Sequence, residues 1–288
     1  MSITRPNRIG LCLMLFTLLC ACSGTTSLSE GFSLSEQPLI GKIVWHDLMT
    51  ENPAAAQAFY AEILGWSFVT TERPNGGPYI LARSGQRFVA GILEVADPPD
   101  GAEYSRWLGY LSVRDVDEAV ALTISEGGTS VLAPREIGQV GRGAVISDPQ
   151  GALIGLLRSR RGDPDDSMLD MPGTIGWHEL LAEDARQATR FYERLAGLQG
   201  RSEERRNGTY YILNDGGRDR AGILSNPLDD TEPAWLAHFM VTDLEQAVSR
   251  VPALGGRVLL APSEELRDGT MALVLDPGGA ILILSKIP

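Results

Sequence analysis

Residues 45–65, WHDLMTENPAAAQAFYAEILG, return as residues 177–197, WHELLAEDARQATRFYERLAG. Trp, His, an acid and Leu open both copies, and Phe-Tyr stands at the same place in each. A duplicated folding unit is the simplest cause of such an echo. Working outward from the first copy, Lys42 to Met49 favours a strand. Asn52-Pro53 is a helix start, with apolar residues at helical spacing until Gly65 closes it.

The echo continues downstream. Pro78-Tyr-Ile-Leu81 pairs with Tyr210-Tyr-Ile-Leu213, and Ala90-Gly-Ile-Leu93 with Ala221-Gly-Ile-Leu224. WLGYLSVRDVDEAV from Trp107 matches WLAHFMVTDLEQAV from Trp235, and DPQGALIGLL from Asp148 matches DPGGAILILS from Asp276. Each half holds two cycles of strand, helix and three strands, separated by Gly and Pro punctuation. The fold class expected is therefore α+β, with four βαβββ modules in two tandem domains, 39–158 and 172–288. The linker between them, 159–171, carries GDPDDSMLD and reads as a solvated acidic segment.

The amino terminus stands apart from both halves. Arg5 and Arg8 precede the apolar run from Ile9 to Leu19, which has the charge and length of a secretory signal and is short for a bilayer span. The run ends at Leu19-Cys20-Ala21-Cys22 and resembles a bacterial lipoprotein signal. That resemblance implies cleavage after residue 21, lipidation of Cys22, and residence in the cell envelope, at the outer membrane facing the periplasm, because Ser23 follows the cysteine. Residues 22–38 then read as a flexible tether. All three cysteines (Cys12, Cys20, Cys22) lie in this leader, so the expected mature domains have no disulfide and no thiol chemistry.

Hydrophobic residues make up 43% of the chain, enough for two cores, and the formal charge is −12. An acidic chain without a basic patch repels phosphate backbones, which argues against a nucleic-acid partner. Four modules in one chain can build two sites without a second copy, so a monomer is expected.

Together, the Trp-His-acid-Leu strand, the helix ending in Phe-Tyr, the V-x-D-[VL]-[DE]-x-A-V helix start and the D-P-x-G-A hairpin resemble the vicinal-oxygen-chelate superfamily of glyoxalases, bleomycin- and fosfomycin-resistance proteins and extradiol dioxygenases. The resemblance covers about 240 residues. It implies that each pair of modules curls into a cup, with helices on the convex side and a ligand inside. In metal-using members the ligands would stand fifteen residues before the Tyr of Phe-Tyr, five before the Val of V-x-D and seven after the Asp of D-P-x-G. Here those positions hold Trp45, Leu108 and Gly155, and then Trp177, Leu236 and Ile283. No resident cofactor is expected on that count, with a divalent metal kept open because a one-residue slip in register would turn His46 and His178 inward.

Period-two alternation assigns the cup walls. Trp45, Asp47 and Tyr110 face the first cup, and Trp177, Glu179 and His238 the second. These six are the candidate ligand-binding residues. His46 and His178 are expected to pack under a helix. A carboxylate inside an apolar cup needs a partner. Tyr110 and Arg142 are the candidates for Asp47, and His238 and Arg267 for Glu179. Glu179 and His238 are also the candidate catalytic pair, with the carboxylate expected to raise the imidazole pKa. Several functions stay open at this point: a small-molecule-binding envelope protein, with or without metal-independent acid–base chemistry; a metal-dependent lyase or dioxygenase of the glyoxalase type; a non-catalytic sequestration or resistance protein; and an assembly module whose cups are filled.

Overall fold

A computed structural model describes residues 31–72, 77–96, 105–167, 169–206, 208–227 and 231–287. The expected signal peptide, Cys22 and the first part of the tether lie outside these residues.

The first half forms β1 (Ile43–Thr50), α1 (Pro53–Leu64), β2 (Ser67–Glu72), β3 (Pro78–Ser84) and β4 (Arg87–Glu94). It repeats with β5 (Arg106–Ser112), α2 (Val116–Ser125), β6 (Thr129–Ile137), β7 (Gly141–Ser147) and β8 (Leu153–Ser159). The second half follows the same order with β9 (Ile175–Ala182), α3 (Ala185–Ala196), β10 (Gln199–Arg205), β11 (Gly208–Asn214), β12 (Asp219–Ser225), β13 (Ala234–Val241), α4 (Leu244–Arg250), β14 (Arg257–Leu260), β15 (Met271–Leu275) and β16 (Ile281–Lys286). Each half makes one eight-stranded mixed sheet, β2-β3-β4-β1-β5-β8-β7-β6 and β10-β11-β12-β9-β13-β16-β15-β14.

The helix ends follow from local chemistry. Asn52 and Asp184 cap the first turns of α1 and α3 by accepting from the amides of Ala55 and Gln187. Gly65 and Gly197 end the same helices in the left-handed region, which costs a residue without Cβ little.

The two sheets stand back to back, and each core is built from both. Leu111, Val116, Ile146, Ile154 and Leu156 of the first half pack with Phe191, Tyr192 and Leu195 of α3. Phe59, Tyr60 and Ile63 of α1 pack with Phe239, Val251 and Leu282 of the second half. Two reciprocal hydrogen bonds clasp this seam: the Tyr60 hydroxyl donates to Asp276 at 3.0 Å, and Tyr192 to Asp148 at 2.9 Å. Trp107 and Trp235 donate in turn to the two hydroxyls at 2.8 Å. The Phe-Tyr and D-P-x-G motifs are therefore two ends of one contact, which explains their joint recurrence.

The partner of His46 and His178 is neither a carbonyl nor a hydroxyl. They meet each other across the seam, rings parallel and Nε2 atoms 2.7 Å apart. Burial drives His46 down to about 3 and His178 well below the ordinary histidine value, with the Lys42 charge adding to the shift in both.

Two further expectations are corrected. The linker is solvated only in part: Asp163 is 0% exposed, and its carboxylate accepts from the Leu39 amide at 2.6 Å and from Ser112 and Ser159 at 2.7 Å. Asp166 pairs with Lys42 at 2.9 Å and with Arg220 at 2.8 Å. Nor is the end of the tether free. Ser33 donates to Asp165, Ser35 exchanges backbone and side-chain hydrogen bonds with Asp163, and Phe32 rests against Trp45 and Phe88. Buried donors, which composition does not reveal, hold both segments in place.

Candidate functional site: two inner faces with one shared frame

The faces turned away from the seam carry the polar residues expected of the cups. On β1, Trp45 and Asp47 point the same way, since the Trp45 indole donates to Asp47 at 3.1 Å. Tyr79 reaches over from β3, donating to Asp47 at 2.6 Å and accepting from Trp45 at 2.8 Å. Tyr110 on β5 also hydrogen-bonds the Asp47 carboxylate. Burial raises the Asp47 pKa, while these donors pull it down and only partly compensate. The Tyr79 and Tyr110 phenols are pushed well above their usual value, first by burial and then by the Asp47 charge.

The second face repeats the frame with one addition. Tyr210 on β11 donates to Glu179 at 2.5 Å and accepts from Trp177 at 3.0 Å. The Arg267 guanidinium closes an ion pair on Glu179 and lies 5.1 Å above the Tyr210 ring. His238 Nδ1 meets Ser285 Oγ at 2.8 Å, whereas its buried Nε2 has no hydrogen-bond partner and stands 3.3 Å from Glu179 Oε2. The expected rise in the His238 pKa is contradicted: desolvation lowers it to about 3, so the ring is neutral and no charged pair forms.

Of the sequence-based partners, Tyr110 and Arg267 are in place. Arg142 is not, because it lies at the surface and pairs with Asp117 and Glu136. Tyr79 and Tyr210 escape the sequence reading through a slip in the repeat alignment. Gly91 faces Leu81, and its counterpart Gly222 faces Ile212, so Tyr79 corresponds to Tyr210 rather than to Tyr211. The glycines carry the signal. A Cβ at Gly91 would come within 1.9 Å of the Tyr79 hydroxyl, and one at Gly222 within 1.7 Å of that of Tyr210. Glycine in Ala-Gly-Ile-Leu thus marks the place where a tyrosine crosses a strand to reach an acid.

Access separates the two faces. Strand register places Gly143 and Gly155 in the first half where Met271 and Ile283 stand in the second. Both glycines are buried, Gly155 beneath the Tyr110 ring and Gly143 beneath Ile137, and Met49, Tyr110 and Val145 are half-buried where their counterparts Leu181, His238 and Leu273 are buried. In the second half Leu181, Leu236, Met271, Leu273 and Ile283 form a buried cluster, covered by Leu266 from the segment between β14 and β15. A cavity beneath Phe32 and Phe88 is lined on one side by Trp45, and another lies beside Gly65 and Met240 at the seam.

Comparison with known proteins matches this architecture. Residues 42–156 fit the model of the Glyoxalase/Bleomycin resistance protein/Dioxygenase superfamily. The chain is 32% identical over 246 residues to "Putative glyoxylase CFP32" of Mycobacterium tuberculosis, covering 84% of this chain and 93% of that protein. The chain belongs to the glyoxalase/bleomycin resistance/dioxygenase superfamily. The anthracycline biosynthesis protein DnrV of Streptomyces peucetius is 28% identical over 252 residues, covering 83% of this chain and 91% of DnrV. Among solved structures, the Mn(II)-bound glyoxalase of Novosphingobium aromaticivorans superposes with a TM-score of 0.56 at 15% identity, covering 86% of this chain and 82% of that one. An extradiol ring-cleaving dioxygenase of B. fuscum gives 0.58 at 15% identity, over 88% of this chain and 74% of that one.

Superfamily members named for a bound metal make the donor set of this chain worth testing. A divalent ion needs three or more converging oxygen or nitrogen ligands. The first inner face offers the Asp47 carboxylate, already surrounded by three donors. The second offers Glu179, neutralised by Arg267, and one nitrogen of His238. No group of three His, Cys, Asp or Glu side chains converges among the described residues. These residues do not fit a metal centre in either cup.

Proposed function

We propose that the protein binds a small, largely apolar organic molecule on the inner face of its first sheet and is held at the bacterial envelope, facing the periplasm, by a lipid on Cys22. The observation that carries the binding proposal is the difference between the two faces: Met49, Tyr110 and Val145 are half-buried on the first, whereas their counterparts Leu181, His238 and Leu273 are buried on the second, where Leu266 packs over the apolar cluster. Apolar walls with a few fixed polar groups are what a small-molecule site requires. Trp45, Tyr79 and Tyr110 supply the walls and Asp47 the anchor. This moves the emphasis from the second cup, where the sequence placed it, to the first.

The test uses a neutral planar dye, N-phenyl-1-naphthylamine, whose emission rises on transfer to an apolar site. The parent protein is expected to enhance it saturably. Val145→Trp, which fills the first floor, should lower the affinity at least tenfold, and Leu260→Trp on the second sheet should leave it unchanged. Equal enhancement by the parent and Val145→Trp would refute the site. Membrane attachment is tested separately, since Cys22→Ala should move the protein from the membrane fraction to the soluble periplasm.

One observation favours a second reading, metal-independent acid–base chemistry at Glu179 and His238: the buried, unpartnered Nε2 of a neutral imidazole beside a carboxylate. It requires the segment bearing Arg267 to open. Exhaustively chelated protein should then turn over adducts of small dicarbonyls with thiols, and Glu179→Gln should abolish the rate. Equal rates for the two would remove Glu179 from any mechanism.

A further inference from the structure

The two inner faces share a frame of tryptophan, carboxylate and tyrosine, and differ in what sits on the carboxylate. In the second, Arg267 delivers a guanidinium to Glu179 against the Tyr210 ring, while Arg205 lies over the same ring at 3.5 Å. The chain bends to achieve this. Arg267 and Asp268 both adopt positive φ, 50° and 53°, a backbone region that costs residues with a Cβ on the order of 1 kcal/mol or more each. Strain of that size persists only where contacts such as the Glu179 ion pair hold it.

The first half has the same stretch at the same length, APREIGQVGRG against APSEELRDGTM. There β6 runs on to Ile137 and turns tightly back into β7, instead of folding over the sheet. Gln139 occupies the position of Arg267, so the first half brings no cation inward from this element. Asp47 accepts only from Trp45, Tyr79 and Tyr110, and no cationic side chain among the described residues pairs with it. Among the arginines on that face, Arg106 has an interaction of its own, Arg83 lies over the Phe88 ring, Arg87 lines the cavity beneath Phe32, and Arg135 stands exposed at the rim beside Tyr110; none pairs with Asp47. An anionic carboxylate enclosed by aromatic rings is costly until a cation meets it, and aromatic faces attract that cation further.

We infer that the first cup receives its ligand through an ammonium or guanidinium group, which Asp47 takes up as Glu179 takes up Arg267. This rests on the binding site proposed above. The second cup is in effect a copy of that receptor, occupied by a side chain of the same chain. The incoming cation takes over from the Tyr110 hydroxyl as a donor to Asp47, while the body of the ligand lies over Met49 and Val145.

Three probes separate the possibilities: 2-phenylethylammonium, its neutral analogue 2-phenylethanol, and N-phenyl-1-naphthylamine. Binding is followed at the indole N–H resonance of Trp45, assigned by its loss in Trp45→Phe. The ammonium should bind at least tenfold more tightly than the alcohol, and Asp47→Asn should erase that preference while leaving the dye bound. In Arg267→Ala, ethylguanidinium should shift the Trp177 indole resonance and raise the Tm, and should do neither in the parent. Equal affinity for ammonium and alcohol in the parent, or a preference that survives Asp47→Asn, would overturn the cation assignment while leaving the binding site intact. If none of the probes, the dye included, perturbs Trp45, the binding site itself is refuted and the assignment with it.

Discussion

At Gly222 a single methyl group decides whether Tyr210 reaches Glu179. The tyrosine crosses β12 only because that strand has no side chain there, and the ring carbon bearing the hydroxyl would itself lie 2.3 Å from an added Cβ. Gly222→Ala should therefore displace Tyr210 and leave Glu179 short of a donor in a buried site, at a cost of about 2–4 kcal/mol in urea unfolding. The double variant Gly222→Ala/Tyr210→Leu should be less destabilised than the two single losses added together, since the collision is counted in only one of them. Additive losses would show that the glycine serves some other purpose. How much of the site the sequence discloses also depends on such single positions. Alternation along β1 and β9 is enough to place Trp45, Asp47, Trp177 and Glu179 on one face, because strand period is a local property. Tyr79 and Tyr210 lie on neighbouring strands, and their contribution depends on register between strands, which a one-residue slip in the repeat conceals. The His238 pKa departs from expectation for a related reason: a nearby carboxylate can be counted from the sequence, but the desolvation that outweighs it cannot.

At the scale of elements, local signals predict nearly every helix and strand, while the segments between them depart from expectation. Pro at the start of α1, glycine at its end and the short apolar runs of β8, β15 and β16 act within a few residues and survive folding unchanged. The linker and the end of the tether behave differently. Asp163 looks like one charge in an acidic run, yet it becomes the acceptor for a backbone amide and two serines drawn from three other parts of the chain. Acidity favours solvent only when no buried donors await it, and those donors come from residues far away in sequence. The stretch between β14 and β15 teaches the same lesson from the opposite side. It equals its counterpart between β6 and β7 in length and shares Ala-Pro at its start, but one folds over its sheet and the other stands out as a hairpin. Leu266 and Arg267 have partners in the second sheet, whereas Gly138 and Gln139 carry neither the apolar side chain nor the charge to bind one.

At the scale of the whole molecule, the repeat announces two similar halves but not that they share cores back to back. The sign of this is present as an unexplained pairing, Phe-Tyr with D-P-x-G, whose partners lie 216 and 44 residues apart in sequence. The pseudo-twofold relation brings His46 and His178 together between the sheets, and their titration reports on the seam as a whole. Both are depressed on folding, so the unfolded chain binds more protons than the folded one between the folded values, about 3 for His46, and the ordinary value near 6.5. The stability they allow is complete above pH 6.5 and is lost as pH falls through that window, by about 2 kcal/mol per histidine on reaching about pH 5. Asp276, raised by burial to about 6, acts with the opposite sign: its protonated form favours the folded state, and that contribution fades as pH rises from about 4 to 6. The two effects can be separated by substitution. Replacing both histidines with leucine should flatten the loss of stability between about pH 6.5 and 5, measured by urea unfolding, while the parent loses several kcal/mol over the same range. A slope reduced by only about half as much as two neutral rings require would mean that the imidazoles share one bound proton in the folded state, and an unchanged slope would mean that folding does not depress them at all.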